Sequence, residues 1–264
     1  MDQSDIVETA HALADAARDA TLPWFRTKNL QAENKAASSK PFDPVTRADR
    51  AAEEAMRKVL AERRPDDAIL GEEFGATGGR TGLTWVLDPI DGTRGFLTGT
   101  PTWGVLIAIS DENGPFYGLI DQPYIGERFE GGLGRAEMSG PHGRRSLATC
   151  GNRPLGEANL FTTFPEVGSK TEGEAFRAVA DRVQFARYGM DCYAYALLAS
   201  GQVDLVIEAG LNAYDIQAPI AVIEAAGGVV TDWRGGPAHH GGQVVAAAGR
   251  MQHKAALGIL SDFV

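Results

Sequence analysis

The chain has 264 residues, 44% of them hydrophobic and 23% charged, enough apolar surface for a sizeable core and far from the composition of a disordered polypeptide. Thirty-five acids against 25 lysines and arginines give a formal charge of −10, which argues against a broad nucleic-acid or anionic-membrane surface, although bound cations could still create a local anion site. The two cysteines, Cys150 and Cys192, are too few for a disulfide framework and lack metal-ligand spacing.

The opening stretch MDQSDIVETAHALADAARDA is acidic and lacks the basic and apolar blocks of a signal peptide. No uncharged run approaches the roughly 20 residues of a membrane span, so a cytoplasmic protein is expected. Ile6, Ala10, Leu13 and Ala17 recur at helical spacing and predict a helix that stops before Pro23. The polar segment NKAASSKPFD then predicts a mobile loop, in which Lys35 and Lys40 could approach an anion. Asp43 is expected to cap a helix beginning at Pro44, with Ala48, Ala52, Met56 and Val59 on one face and an end before Pro65.

The period then changes. AILG at 68–71, LTWVLD at 83–88, WGVLIAI at 103–109 and FYGLID at 116–121 read as strands, and their near-continuous apolar character suggests cover on both faces. A loop-rich basic region is expected around GPHGRRS, with His142, Arg144 and Arg145 in a solvated turn. Beyond it, DCYAYALLASG reads as a buried helix closed by Gly201, VDLVIE as a strand, IQAPIAVIEAAGG as a helix and AALGIL as a last helix. His239 and His240, in a glycine-rich stretch, read as surface loop. There is no repeat or low-complexity linker. The one seam, near 135–155, divides residues 1–145 from residues 146–264 as two subdomains expected to share one active site.

The stretch WVLDPIDGTRGF ends an apolar run with Asp88 and Asp91 around Pro89 and Ile90. A sharp turn there would hold both carboxylates on one side at a strand end, where functional groups are common. Ordinary turn formation explains an isolated pair equally well. Other acids sit at similar places: Glu72 and Glu73 after AILG, Asp49 in VTRAD, and Asp215 in AYDIQAP. If they converge, a hard divalent cation that prefers oxygen ligands would relieve their repulsion.

The set DPVTRAD, ILGEE, WVLDPIDGT and YDIQAP, in this order and spacing, resembles the inositol monophosphatase superfamily of Mg²⁺-dependent phosphatases over nearly the whole chain. The resemblance implies an α/β layered sandwich with alternating layers of helices and sheets, and two or three Mg²⁺ ions per site. Glu72, Asp88 and the Ile90 carbonyl would hold one ion, and Asp88, Asp91 and Asp215 a second, with a weaker third near Glu72. It implies direct attack of water on phosphorus, with Asp49 and Thr93 orienting and deprotonating that water and Glu72 counted with them among the catalytic residues. Gly92 and Thr93 would present backbone N–H groups to phosphate, and any side chain at 92 would obstruct its approach. Thr93 could equally be a helix cap. The resemblance also implies a homodimer.

For the substrate, RYGMDCYAYALLASGQVDLVIEAGLNAYD, TRGF and GLIDQPYIGERFEGG resemble the histidinol-phosphatase branch, which implies hydrolysis of L-histidinol phosphate in histidine biosynthesis. Asp191 would pair with the positive charge of the leaving alcohol, Glu208 would reach the leaving group, and Arg187 and Asn212 would be further contacts. Met190 departs from the small residue expected beside Gly189. Asp191 could instead cap the following helix, Glu208 could be the polar end of its strand, and Arg187 could balance nearby acids. Rival esters are inositol 1-phosphate, fructose 1,6-bisphosphate and 3′-phosphonucleotides. The D-x-D-x-T pattern of aspartyl-phosphate phosphatases fails by one residue, and no P-loop, G-x-S-x-G, H-E-x-x-H or C-x₅-R motif is present. A metal-binding regulatory protein without turnover is the alternative of another class, against which Asp49 and Thr93 speak.

Overall fold

In the computed structural model, which describes residues 3–28, 30, 32–34, 44–164 and 166–263, the stripe Ile6, Ala10, Leu13 and Ala17 is fully buried along helix α1 (Gln3–Thr21). Strands β1 (Ala32–Asn34) and β2 (Pro44–Thr46) pair antiparallel. Helix α2 (Arg47–Arg63) therefore starts three residues later than its sequence suggests. Thr46 is the cap, because its Oγ1 accepts the Ala48 N–H at 3.0 Å while the Asp49 carboxylate accepts the Thr46 N–H at 2.9 Å. Asp43, Lys35, Lys40 and the rest of the expected loop, except Asn34 on β1, lie outside the described residues.

A large sheet follows, from β3 (Ala68–Gly71), β4 (Gly75–Thr77) and β5 (Thr84–Asp91), then, after helix α3 (Thr93–Thr98), β6 (Gly104–Asp111), β7 (Gly114–Gln122), β8 (Glu127–Gly132), β9 (Arg135–Gly140) and β10 (Gly143–Ser146). Its order is β10-β9-β8-β7-β6-β5-β3-β4, antiparallel except for β3 beside β5. The basic region expected as loop is the β9–β10 hairpin. Its last strand is exposed at every position, so no alternation marked it. The remaining elements are β11 (Asn159–Thr162), α4 (Lys170–Ala180), β12 (Phe185–Tyr188), α5 (Tyr193–Ala199), β13 (Leu205–Leu211), α6 (Ala213–Ala225), β14 (Val229–Thr231), β15 (Gly242–Ala247) and α7 (Arg250–Leu260). They build a second sheet of order β12-β11-β13-β15-β14. Among the described residues no helix is long and apolar enough to cross a membrane.

Alternation along the strands sorts the layers. Trp85 and Leu87 of β5 join Val105, Ile107 and Ile109 of β6 under α1 and α2. Val86, Leu106 and Ala108 point the other way, into a core shared with α5, α6 and the inner face of the second sheet. Leu205, Ile207, Val245 and Ala247 of that sheet turn outward to Phe176 of α4 and Leu260 of α7. The molecule is thus five layers deep, helices alternating with sheets, with α5 and α6 in the middle.

Helix α6 lies unusually close to the large sheet. Gly118 of β7 and Gly131 of β8 face each other in register. A Cβ on Gly118 would sit 2.5 Å from the Ala218 carbonyl oxygen, and one on Gly131 would sit 2.4 Å from Val222 Cα. The glycine pair makes a trough that fixes the height of α6. Ser110 donates to Gln217, which donates to the His239 carbonyl at 2.9 Å and so ties the helix at its side. His239 and His240 lie in the loop between β14 and β15, as expected. Gly131→Ala forces backbone against backbone. The expected loss is about 1–3 kcal/mol, read from urea unfolding; an unchanged midpoint would show that α6 can lift without cost.

Candidate active site

Asp88 pairs with Leu106 and Asp91 with Gly104, so three steps along β5 match two along β6. In a regular strand side chains three apart point to opposite faces. The extra residue is a β-bulge, and it turns Asp91 to the same side as Asp88. Strand pairing runs through Asp91, where a turn was expected, and the Ile90 N–H closes the bulge on Asp88 Oδ1 at 3.0 Å. Beneath it the Ile90 side chain is buried with Phe25, Phe96 and Trp103, whose rings stack edge to face at 4.8 Å for Phe96 and Trp103. That packing holds the bulge and α3 from below.

Asp215, in the first turn of α6, comes to the same point. One carboxylate oxygen each of Asp88, Asp91 and Asp215 lies within 4.8 Å of the others, and the Asn212 N–H fixes Asp215 by donating to its Oδ2 at 2.6 Å. Glu72 follows β3, with its N–H on the Leu87 carbonyl at 3.2 Å. Burial, then the charges of Glu72, Asp91 and Asp215, push the Asp88 carboxyl well above the usual carboxylate range. Asp91 is raised likewise, by burial first and then by Asp191 and Asp215. Several acids crowded below the surface, with carboxylate oxygen as the ligand chemistry, fit a hard divalent cation.

The site is supported from α2. Glu53 is fully buried, and its carboxylate receives the N–H groups of Glu73 at 2.6 Å and Phe74 at 3.2 Å and the Arg57 guanidinium at 2.8 Å. It thereby pins the turn that carries Glu72. Gly71 leaves it room, since a Cβ there would meet Glu53 Oε1 at 2.0 Å. Asp49, also fully buried, spends one oxygen on the Thr46 cap and accepts Thr93 Oγ1 on the other at 3.3 Å. Thr93 does not cap α3. That place belongs to Gly92, at φ +84°, and the Thr93 hydroxyl also reaches the Ile90 carbonyl at 3.2 Å. Gly92 is required for a reason the sequence did not disclose: a Cβ would lie 2.7 Å from Asp191 Cγ.

These groups open into a cavity of about 270 Å³, lined by Glu72, Asp88, Asp91, Thr93 and Asp215. Asp191, Glu208 and Asn212 also line it, together with Arg94, Thr163, Phe164 and Tyr195, which the sequence had not singled out as site residues. Asp191 does not cap α5. It stands at φ +46°, an uncommon backbone state that Asp tolerates better than most residues, and accepts from Thr102 Oγ1 at 2.9 Å. The N–H of the next residue, Cys192, donates to Asp91 Oδ2 at 2.6 Å, which joins the two halves of the pocket. Glu208 accepts both the N–H and the hydroxyl of Thr163, at 3.0 and 2.8 Å, on one oxygen. Burial pushes its carboxyl up to about 7. Arg187 is exposed on the edge strand β12 and does not line the pocket. The guanidinium at the mouth is that of Arg94, 4.7 Å above the Phe164 ring. Its position after Gly92 and Thr93 was the available clue, whereas nothing local distinguished Thr163 or Glu53.

Known proteins resemble this chain in sequence and in fold. The model of the inositol monophosphatase family matches residues 2–263. A histidinol-phosphatase of Streptomyces coelicolor is 35% identical over 273 aligned positions, 99% of this chain and 98% of its own. A bifunctional chloroplast phosphatase of Arabidopsis thaliana is 44% identical over 85% of this chain, which spans 63% of that relative's length. In three dimensions an inositol monophosphatase from Zymomonas mobilis matches with a TM-score of 0.86 and 36% identity, covering 99% of both chains. With this fold and an acidic pocket at the junction of its two sheets, the chain belongs to the inositol monophosphatase family and is a phosphomonoester hydrolase.

Proposed function

We propose that this phosphatase hydrolyses L-histidinol phosphate to L-histidinol and phosphate, with Mg²⁺ held by Glu72, Asp88, Asp91, Asp215 and the Ile90 carbonyl. The observation that carries the hydrolytic part is the convergence of three carboxylate oxygens within 4.8 Å around a strand bulge. Bound there, Mg²⁺ supplies neutralising charge for the phosphoryl group and lowers the pKa of coordinated water. Asp49 and Thr93 prepare the nucleophile: a water donating to the Thr93 hydroxyl oxygen is oriented toward phosphorus and passes its proton to Thr93 as Thr93 passes its own to Asp49 through the 3.3 Å bond. A P–O bond to water forms as the ester P–O bond breaks, and the departing alkoxide takes up a proton from water. Gly92 contributes by giving Asp191 room, and Asn212 by holding Asp215.

Preference for histidinol rests on the acids at the leaving-group end. Asp191 and Glu208 line the pocket there, each with one oxygen engaged by a threonine. They suit an alcohol with an ammonium group and are poorly matched to a neutral polyol. The S. coelicolor relative bears the name of this activity. The second reading is inositol 1-phosphate, favoured by the name of the Z. mobilis neighbour. Side-by-side kinetics with Mg²⁺ on both esters decides, and a higher kcat/KM on inositol 1-phosphate would refute the histidinol assignment. Arg187, which does not line this chain's pocket, is given no step in this mechanism. A homodimer, the assembly the resemblance implies, is checked by light scattering.

Three further outcomes are expected. EDTA abolishes phosphate release and Mg²⁺ restores it, while Asp88→Asn, which takes a carboxylate from the centre of the cluster, lowers kcat by at least ~10³-fold; a near-normal rate in that variant would be incompatible with the assigned site. Asp191→Ala lowers kcat/KM on histidinol phosphate more than on inositol 1-phosphate. Equal losses on the two would make Asp191 a structural residue.

A further inference from the structure

Tyr195, on α5, is 3% exposed, and among the described residues its hydroxyl has no hydrogen-bond partner, although the residue lines the pocket. A buried hydroxyl without a partner costs stability that a phenylalanine would not. Core packing therefore does not account for the oxygen. Other hydroxyls around the pocket are engaged: Thr163 on Glu208, Thr102 on Asp191, and Thr93 on Asp49 and Ile90. Burial, and after it the carboxylates of Glu208, Asp91 and Asp215, raise the Tyr195 pKa well above that of an ordinary phenol. The group is thus a neutral phenol, able to accept as well as donate.

Its first charged neighbour is Glu208. Thr163 uses Glu208 Oε1 for both of its bonds, and Oε2 has no partner among the described residues. Asp191, whose charge is felt by Glu208, repeats the pattern: Thr102 holds Oδ2, and among the described residues Oδ1 accepts no hydrogen bond, although the charge of Arg94 acts on the carboxylate. Three acceptor oxygens in the lining of one cavity, from Tyr195, Glu208 and Asp191, thus receive no hydrogen bond among the described residues. A primary ammonium carries three N–H donors and no acceptor. A neutral hydroxyl carries one donor and would leave the others unmet.

We propose that the Tyr195 hydroxyl is a specificity-determining substrate contact, which together with Glu208 Oε2 and Asp191 Oδ1 accepts the N–H groups of a primary ammonium on the leaving alcohol. The proposal deepens the histidinol phosphate reading and rests on it. The phenol is suited to this place because it accepts from the ammonium without adding a third negative charge to the pair, and its own proton can turn to a carboxylate.

Tyr195→Phe removes the oxygen and little else, so it separates recognition from packing. Wild type and variant are compared on L-histidinol phosphate and inositol 1-phosphate, with a thermal melt of each. The wild type is expected to prefer the amine, and Tyr195→Phe to lose about 10-fold or more in kcat/KM on it. On inositol 1-phosphate the variant should stay within about 3-fold, and its Tm should equal or exceed that of the wild type. A preference that survives unchanged in Tyr195→Phe, or equal losses on both esters, overturns the role of Tyr195 and leaves the amine reading intact. A wild type indifferent to the amine overturns that reading, and the role of Tyr195 with it.

Discussion

Repulsion among carboxylates that the fold forces together is the constraint from which the rest of this molecule can be understood. Asp88, Asp91 and Asp215 come from positions up to 127 residues apart and meet within 4.8 Å. Removed from water, such a group is unfavourable by itself, and burial and mutual charge both oppose its ionisation. A structure that keeps it must hold each acid by contacts unrelated to the others. The bulge in β5 does so for Asp88 and Asp91, the cap of α6 for Asp215, and the buried Glu53 for the turn bearing Glu72.

The middle layer is what makes the two halves one object. Helices α5 and α6 bury their side chains against both sheets at once, in a single apolar cluster that runs from Val86 and Leu106 to Val206 and Ala246. Their N-terminal ends carry the pocket. Asp191 and Cys192 precede α5, and Asn212 and Asp215 open α6. The hydrogen bond from Cys192 N–H to Asp91 crosses between the segments, so the segment bearing Asp191 is braced against the acidic cluster.

Much of this could be read from residue order. Helical and strand periods located α1, the middle strands of the large sheet, α5 and α6, and the acidic motifs located the cluster, because side chains of one chemical kind at strand and helix ends are a strong local pattern. What escaped notice lacked such a pattern. D-P-I-D looks like a turn, since proline and aspartate favour turns, and only pairing with β6 makes it a bulge. The helix expected from Pro44 begins at Arg47 because Thr46 competes successfully for the cap. Glu53 is one acid among several on an amphipathic helix, and its burial depends on Gly71 of β3, which leaves its carboxylate room. Tyr195 looks like core, and in large part it is; its oxygen becomes noteworthy only when every neighbouring donor has been assigned.

The facing glycines Gly118 and Gly131 have a consequence for how this protein can change. Most of a core adapts to substitution by exchanging rotamers, and small volume errors are absorbed locally. Where main chain rests on main chain there are no rotamers to exchange. Drift elsewhere in the apolar interior can therefore be taken up by side chains without tilting α6, while the seat itself has no mechanical tolerance. The end of that helix that carries Asp215 is referenced to the backbone of the sheet, much as an instrument is referenced to its bed.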